Sequence, residues 1–292
     1  NLLAMDTAAR NQNISDLEEL SLSLGSASNW FWSTPLKNYP PLKSKSADYF
    51  FDWLAHPTYD EYWKRWSIDE DYSRIDVPAL HIAGWYDIFL SGSVNNFCGI
   101  SRDGGSANTR NHQKLLIGPW THMPWSPVGN TGKTEPSTSE IDDWTIRWFD
   151  EILKNKNTGI LDSPITIYPV NGNLLELEKW HTGESPTETW FFHSEGRANS
   201  KFGDGKLDKY SPADEHVDLF VSDPTIPIQS NGGHSCCFDS ITPMGPADQH
   251  TSESSRMVLI YTSEEFAKET LIIGDAKIIV YASSSALDSD FV

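Results

Sequence analysis

The sequence ALHIAGWYDIF at residues 79–89 gives the clearest indication of the fold class. It is a short apolar run that ends at Gly84, and the carboxylate of Asp87 follows three residues later. A second run of the same form, HQKLLIGPW, occupies residues 112–120. Short apolar runs of this kind are typical of buried strands. Because the intervening IFLSGSVNNFCGI can form a helix, the order strand, helix, strand predicts a parallel pair with a right-handed crossover. The segment SRDGGSANTRN before the second run is predicted to be a loop.

Two polar side chains follow these strands. Functional groups in an open α/β sheet collect just beyond the carboxyl ends of the strands. Asp87 stands there after the first strand, and His122, in GPWTH, stands there after the second. Such a carboxylate can fix the tautomer of the imidazole, which then takes a proton from a hydroxyl. An aspartate alone is usually a helix N-cap and a histidine alone is usually structural, so the pairing is what favours catalysis.

The composition excludes several classes of protein. A length of 292 residues suggests two domains, and 38% hydrophobic residues with 12 Trp exclude a disordered chain. The net charge is 22 − 41 = −19 without a basic stripe, so we expect neither a nucleic-acid nor a membrane partner. Three cysteines, two of them adjacent, cannot form a disulfide framework. We expect no cofactor and no metal, and the compartment and oligomeric state are left open.

The pattern of apolar and polar residues changes along the chain. The pattern predicts helices and loops over residues 1–72. The segments ISDLEELSLSL and SADYFFDWLAHPTYDEYWKRW have apolar residues at helical spacing. Twelve aromatic residues lie between Trp30 and Trp66, which suits either core packing between helices or an aromatic lid over an acyl pocket. After Asp162 the pattern becomes that of strands separated by turn residues, which indicates a sandwich or jelly roll. The predicted strands there are PITIYPV, ETWFFH, HVDLFVS, MVLIYTS and TLIIGDAKIIVYAS.

A helix is predicted over residues 141–154, with SEID as a capping box at its start. Six apolar residues would form the face that covers the parallel sheet. They are Ile141, Trp144, Trp148, Phe149, Ile152 and Leu153.

These motifs together resemble a known family. GWYD followed by GPWTH, 35 residues later (122 − 87), resembles the acid and base motifs of the cocaine esterase and α-amino acid ester hydrolase group, which is related to X-prolyl dipeptidyl peptidases. WFWSTPLKNYP and HPTYDEYWKRWS are similar to the family's helical cap. LFVSDPTIPIQSNGG, GPADQ, VLIYTSEEF and SSSALDSDFV are similar to its C-terminal jelly roll.

The resemblance implies an α/β plus all-β fold that is incomplete at both ends. It implies a helical cap remainder at 1–72, the C-terminal part of an α/β-hydrolase core at 73–158, and a truncated β jelly roll at 159–292. The activity implied is that of a serine hydrolase acting on small ester or amide substrates. Asp87 matches the triad acid and His122 the triad base. Phe89 matches a position that lines the acyl pocket, although a core residue at a helix start is an equal interpretation.

The nucleophile is expected outside this chain. In the family the serine lies on a strand-to-helix elbow before the cap, whereas this sequence starts at Asn1 inside the cap and stops in an alternating stretch, so we expect both ends to be cuts. Ser106 in GGSAN is expected to be a loop residue, and Ser235 in GHSCC lies in the β region after His122. His234, Cys236 and Cys237 lack the spacing of a zinc site. The chain alone is therefore expected to be inactive.

Other interpretations stay open. Within the hydrolases, the sequence does not separate an ester hydrolase or acylase from an X-prolyl dipeptidyl peptidase. A different class is a non-enzymatic module in which the jelly roll binds a ligand or packs against a partner. The pairing of Asp87 with His122 argues against that class, since a binding module does not need it.

Overall fold

The described part of the chain falls into two compact units, Asn1–Asp71 and Tyr72–Val292. A computed structural model describes residues 1–26, 35–43, 45–122, 138–171, 173–180, 188–214, 216–223, 225–236, 243–287 and 289–291. None of the helices in these ranges is both long enough and apolar enough to cross a membrane.

The first unit is helical, as its sequence predicts. Its α-helices are α1 (Leu2–Arg10), α2 (Ile14–Gly25), α3 (Asp48–Ala55) and α4 (Glu61–Lys64), and 3₁₀ turns occupy Leu36–Asn38, Pro40–Leu42, Lys45–Ala47 and Ile68–Glu70. The side chain of Asn13 caps α2 by accepting a hydrogen bond from the backbone N–H of Asp16. One apolar cluster forms the core of the unit, built around Ala4, Ala8, Leu20, Tyr39, Leu42 and Ala47.

The aromatic residues of this unit pack largely on one another. Tyr49 meets Trp53 edge to face at 5.0 Å, and Phe50 meets Phe51 at 5.4 Å. Trp66 is 72% exposed, so the set is not simply a buried core. Trp30, Phe31 and Trp32 lie outside the described residues. Core packing is therefore confirmed for part of the set, and the lid stays a prediction.

A four-stranded sheet organises the second unit. Its strands β1 (Ala79–Gly84), β2 (Gln113–Gly118), β3 (Ile165–Ile167) and β4 (Leu175–Leu177) lie in that order. β1 and β2 are parallel with Gly84 opposite Gly118, β3 is parallel to β2, and β4 is antiparallel to β3. The crossover from β1 to β2 runs through α5 (Leu90–Asp103) and the short α6 (Ala107–Asn111), where the sequence predicted a loop. The predicted strand–helix–strand order is confirmed.

Helices cover both faces of this sheet because side chains alternate along a strand. Leu115 and Ile117 of β2 face one side, where they pack with Val94 and Phe97 of α5. Leu116 faces the other side and packs with Ile141 of α7 (Thr138–Lys154). All six residues of β2 are buried, which explains why its sequence is an unbroken apolar run apart from its first two residues.

The predicted apolar face of α7 is partly wrong. Ile141 and Trp148 are buried, but Phe149 is 51% exposed and Leu153 is 70% exposed. The buried and half-buried stripe follows positions 141, 144, 148 and 152. Phe149 and Leu153 each come one position after a stripe position, about 100° around the helix. The helix begins at Thr138, one residue before the predicted capping box, whose first side chains lie outside the described residues.

The C-terminal part has fewer strands than the sequence predicts. β5 (Phe191–His193) pairs antiparallel with β6 (Lys206–Asp208), Lys206 forms a bridge with Thr262, and one short helix, α8, spans His250–Glu253. The described residues of HVDLFVS and TLIIGDAKIIVYAS form no strand, which corrects those predictions. A strand needs a neighbour for its backbone groups, and no described segment pairs with these two. The jelly roll is therefore not confirmed.

Candidate active site

The ends of β1 and β2 are tied together just before the predicted site. The backbone N–H of Trp85 donates to the carbonyl of Gly118 at 2.9 Å, and that of Tyr86 donates to the carbonyl of Trp120 at 3.1 Å. A tight turn follows, in which the N–H of Asp87 donates to Gly84 and that of Leu90 donates to Asp87, each at 3.1 Å. The two loops that carry the candidate residues are therefore held side by side.

Glycine ends both strands for a steric reason. A Cβ on Gly84 would lie 2.0 Å from the carbonyl oxygen of Trp120, and one on Gly118 would lie 2.1 Å from its ring. Trp120 is 1% exposed and fills the space that the absent side chains leave. The two glycines thus let the loop before His122 lie directly against the end of the sheet.

Asp87 and His122 meet, as the sequence predicts. Nδ1 of His122 lies 3.3 Å from Oδ2 of Asp87. The Asp87 side chain is 8% exposed and the His122 side chain 40% exposed, so the acid is buried and the imidazole faces outward. The distance is at the long end for a hydrogen bond. Catalytic hydrogen bonds often shorten only when substrate is bound.

The second carboxylate oxygen of Asp87 has a local role. Oδ1 accepts a hydrogen bond from the backbone N–H of Phe89 at 2.9 Å, just before α5 begins at Leu90. Asp87 therefore closes the turn that precedes α5 and also meets the imidazole. The N-cap of α5 is Phe89, without a side-chain cap, so the interpretation of Asp87 as a helix N-cap is wrong.

Phe89 lies beside the imidazole. Its ring meets that of His122 edge to face, with centroids 4.8 Å apart, and it is 50% exposed. Phe89 is the N-cap of α5, so it stands at a helix start, but it is half exposed and is not a core residue. Its place in a pocket wall stays a prediction. Tyr86 lies one residue before the acid, and burial raises the pKa of its hydroxyl.

Ser106 has a structural role in the described chain. Its hydroxyl accepts a hydrogen bond from the backbone N–H of Thr109 at 3.2 Å and caps α6. It lies in the bend just before the helix, which agrees with the prediction of a loop residue.

Ser235 lies closer to the site than its sequence suggests. It forms an isolated parallel β-bridge with Asp87. The neighbouring Cys236 is disulfide-bonded, so its thiolate is not a metal ligand. Cys237 lies outside the described residues, and within those residues no group of three or more His, Cys, Asp or Glu side chains could hold a metal ion.

A second acid–imidazole pair, which the sequence analysis missed, lies in the helical unit. Nδ1 of His56 is 2.6 Å from Oδ2 of Asp60, and the hydrogen bond from His56 is the main cause that lowers the pKa of that carboxyl. Oδ1 of Asp60 caps α4 through Tyr62, on whose ring His56 stacks at 4.3 Å. The i, i+4 spacing could have indicated the pair. These contacts close the turn between two helices and assign the pair a structural role.

A mostly parallel α/β sheet brings a buried aspartate and a histidine together at adjacent strand ends, which is an arrangement that a hydrolase can use. Comparison with known proteins agrees with this class. Residues 9–124 match the model of the X-Pro dipeptidyl-peptidase (S15 family), and residues 129–292 match that of the X-Pro dipeptidyl-peptidase C-terminal non-catalytic domain. The chain belongs to this X-Pro dipeptidyl-peptidase and cocaine esterase family of serine hydrolases.

A curated relative supports the same assignment. The chain is 27% identical over 297 residues to the cocaine esterase of Rhodococcus sp. (strain MB1 Bresler). The match covers 99% of this chain and 50% of the relative, so the chain spans about half the length of that protein.

Proposed function

We propose that Asp87 and His122 are the acid and base of a Ser-His-Asp triad that hydrolyses small ester or amide substrates. The observation that carries the proposal is that the imidazole of His122 turns its Nδ1 toward Asp87. Asp87 contacts Nδ1, which leaves Nε2 to take the proton of an attacking hydroxyl and later to pass it to the leaving group. Asp87 holds the tautomer and stabilises the imidazolium that forms between these two steps.

The nucleophilic serine is proposed to come from polypeptide outside this sequence. The imidazole of His122 contacts Asp87 through Nδ1, and the hydroxyl of Ser106 caps α6. The chain covers only half of its curated relative, which leaves room for the missing group. Without the nucleophile, the acid and base have nothing to activate, and loss of a triad serine costs about a millionfold in rate.

The substrate is proposed to be an ester or amide with a small acyl group. Phe89 would form part of the apolar wall beside the imidazole. The C-terminal region is proposed to complete a jelly roll, and no cofactor is required. The second candidate is an X-prolyl dipeptidyl peptidase, which the matched family names favour. That activity needs a carboxylate that pairs with the free amino terminus of a peptide.

The test compares this chain with a form extended at its amino end. We expect no turnover of p-nitrophenyl acetate by the 292-residue chain, and turnover that a serine-directed reagent abolishes in the extended form. Xaa-Pro p-nitroanilides, assayed in parallel, separate a peptidase from an esterase. Turnover by the chain alone that Ser235→Ala removes would overturn the proposed origin of the nucleophile.

A further inference from the structure

The backbone of Asp87 pairs with a segment from the far end of the chain. The β-bridge joins Asp87 to Ser235, which lies in the segment Asn231–Cys236, here named the strap. The strap belongs to the region that matches the C-terminal non-catalytic domain. A part of that domain thus reaches the turn that carries the proposed triad acid.

The strap is anchored within its own domain. Gly233 and Gly245 exchange two backbone hydrogen bonds, of 2.7 and 3.0 Å. The Gln249 side-chain amide donates to the carbonyl of Asn231, and the Asn231 amide donates to the carbonyl of Asp248, each at 2.6 Å. These residues belong to two motifs of the sequence, NGG and GPADQ, which lie together here. The strap is therefore a fixed support for whatever pairs with it.

A glycine makes this anchoring possible. Gly232 has a φ of +75°, and a Cβ added to it would lie 2.4 Å from the carbonyl oxygen of Gly245. Both the left-handed backbone and the close approach require glycine at this position. An alanine there would push the strap away from residues 245–247.

The turn that carries Asp87 is held to the end of β2 through Tyr86 and is paired with the strap through Asp87. The hydrogen bonds of the Asp87 backbone itself, to Gly84 and from Leu90, are local to the turn. The next two residues, Ile88 and Phe89, are about half exposed, at 48% and 50%. The bridge to Ser235 ties this turn to a distant part of the chain, so movement of the strap would move the carboxylate relative to His122.

We propose that the strap is a positioning element, which holds the Asp87 turn so that the carboxylate stays in register with His122. The inference rests on the proposed triad role of these two residues. It assigns the C-terminal domain a part in the active site, through backbone pairing and without contact with substrate.

The main test is Gly232→Ala in whichever form of the protein hydrolyses the p-nitrophenyl ester. Misplacement of a catalytic group by about 1 Å can cost about 100-fold in rate, so we expect kcat to fall by roughly 10- to 100-fold. KM should stay within about twofold, because the strap is not proposed to touch substrate. Gly196→Ala is the matched control, since Gly196 also has a left-handed φ, of +84°, and lies in the same domain.

A second variant covers the case in which Gly232→Ala does not fold. Gln249→Ala removes the hydrogen bond to Asn231 from an exposed residue, and we expect the same fall in kcat at a smaller size, with the thermal unfolding midpoint unchanged. Normal kcat in Gln249→Ala would overturn the proposal when Gly232→Ala does not fold, and normal kcat in a folded Gly232→Ala would overturn it by itself. If kcat falls no further in Gly232→Ala than in the control Gly196→Ala, the proposal is overturned as well.

A spectroscopic measurement separates failure of this inference from failure of the proposed function. The proton on Nδ1 of His122 that faces Asp87 should give a downfield NMR signal in the 292-residue chain, assigned by its loss in His122→Gln. If the strap positions Asp87, Gly232→Ala weakens or removes this signal whether or not any form of the protein hydrolyses esters. An unchanged signal in a folded Gly232→Ala overturns the inference and leaves the triad proposal intact.

Discussion

At the scale of single residues, Lys114 is the most unusual group in the sheet. It lies on β2 and is 1% exposed, and its Nζ donates to the Ser163 carbonyl at 2.5 Å and to the Thr166 hydroxyl at 2.7 Å. Burial lowers the pKa of this amine to about 8, although Glu176 opposes the shift. No carboxylate forms an ion pair with it in the described chain. The sheet therefore holds a lysine whose charged form is costly.

This lysine predicts a pH dependence of stability. Because its pKa falls from about 10.4 in the unfolded chain to about 8 when folded, the unfolded chain binds more protons between these values. Stability should rise with pH through this window, by up to about 3 kcal/mol from this group. Urea unfolding of the wild type and of Lys114→Met from pH 7 to pH 10 measures the effect. The free energy of unfolding of the wild type should rise relative to that of the variant as the pH increases. Parallel curves would contradict the prediction.

A substitution of the single residue Phe89 tests whether its ring lines the acyl pocket. Phe89→Ala removes the half-exposed ring beside His122, and apolar surface that a bound aromatic acyl group covers contributes about 25 cal/mol per Å². In the active form we expect kcat/KM for an aromatic ester to fall about 10-fold, with a smaller fall for an acetyl ester. An equal fall for both esters would show that Phe89 supports the imidazole and not the acyl group.

At the scale of elements, the strand ends depend on glycine. Gly84→Ala should destabilise the fold by about 3 kcal/mol, because its Cβ would overlap backbone that cannot move aside without opening the junction of β1 and Trp120. Gly92→Ala is the matched control. Gly92 lies near the start of α5 with nothing within 4 Å of an added Cβ, so alanine should be neutral or stabilise by up to about 1 kcal/mol. Chemical denaturation of both variants measures their free energies of unfolding. Equal values for Gly84→Ala and Gly92→Ala would contradict the prediction.

At the scale of the whole molecule, the C-terminal region leaves apolar side chains uncovered. Ile272 is 81% exposed, Ile278 is 73% exposed and Tyr281 is 99% exposed. Exposed alternating apolar segments promote association between chains. We expect the purified 292-residue chain to self-associate, and the double variant Ile278→Lys, Tyr281→Lys to reduce this in sedimentation experiments. Leu153→Lys, at an exposed leucine on α7, should change little, and a monomeric wild-type chain at all concentrations would contradict the prediction.

The elements that the sequence predicted well are those whose signals are local. β1, α5 and β2 each carry their own pattern, and parallel pairing of neighbouring strands then brings Asp87 and His122 together. The bridge between Asp87 and Ser235 could not be predicted, because these residues are 148 positions apart (235 − 87) and only tertiary folding joins them. The patterns PITIYPV and ETWFFH contain β3 and β5, which both pair. HVDLFVS and TLIIGDAKIIVYAS have a similar local pattern but pair with no segment among the described residues, because pattern alone does not supply a neighbour.

The most direct test of the proposed triad is Asp87→Asn in the form of the protein that hydrolyses the p-nitrophenyl ester. The amide keeps the shape of the side chain but cannot hold the imidazole in the required tautomer or stabilise the imidazolium. We expect kcat to fall about 10⁴-fold while the thermal unfolding midpoint stays near that of the wild type. Asp76→Asn, which changes an aspartate before β1 that accepts a hydrogen bond from Thr109, is the control and should keep most of the activity. A near-normal kcat in Asp87→Asn would remove this residue from the mechanism.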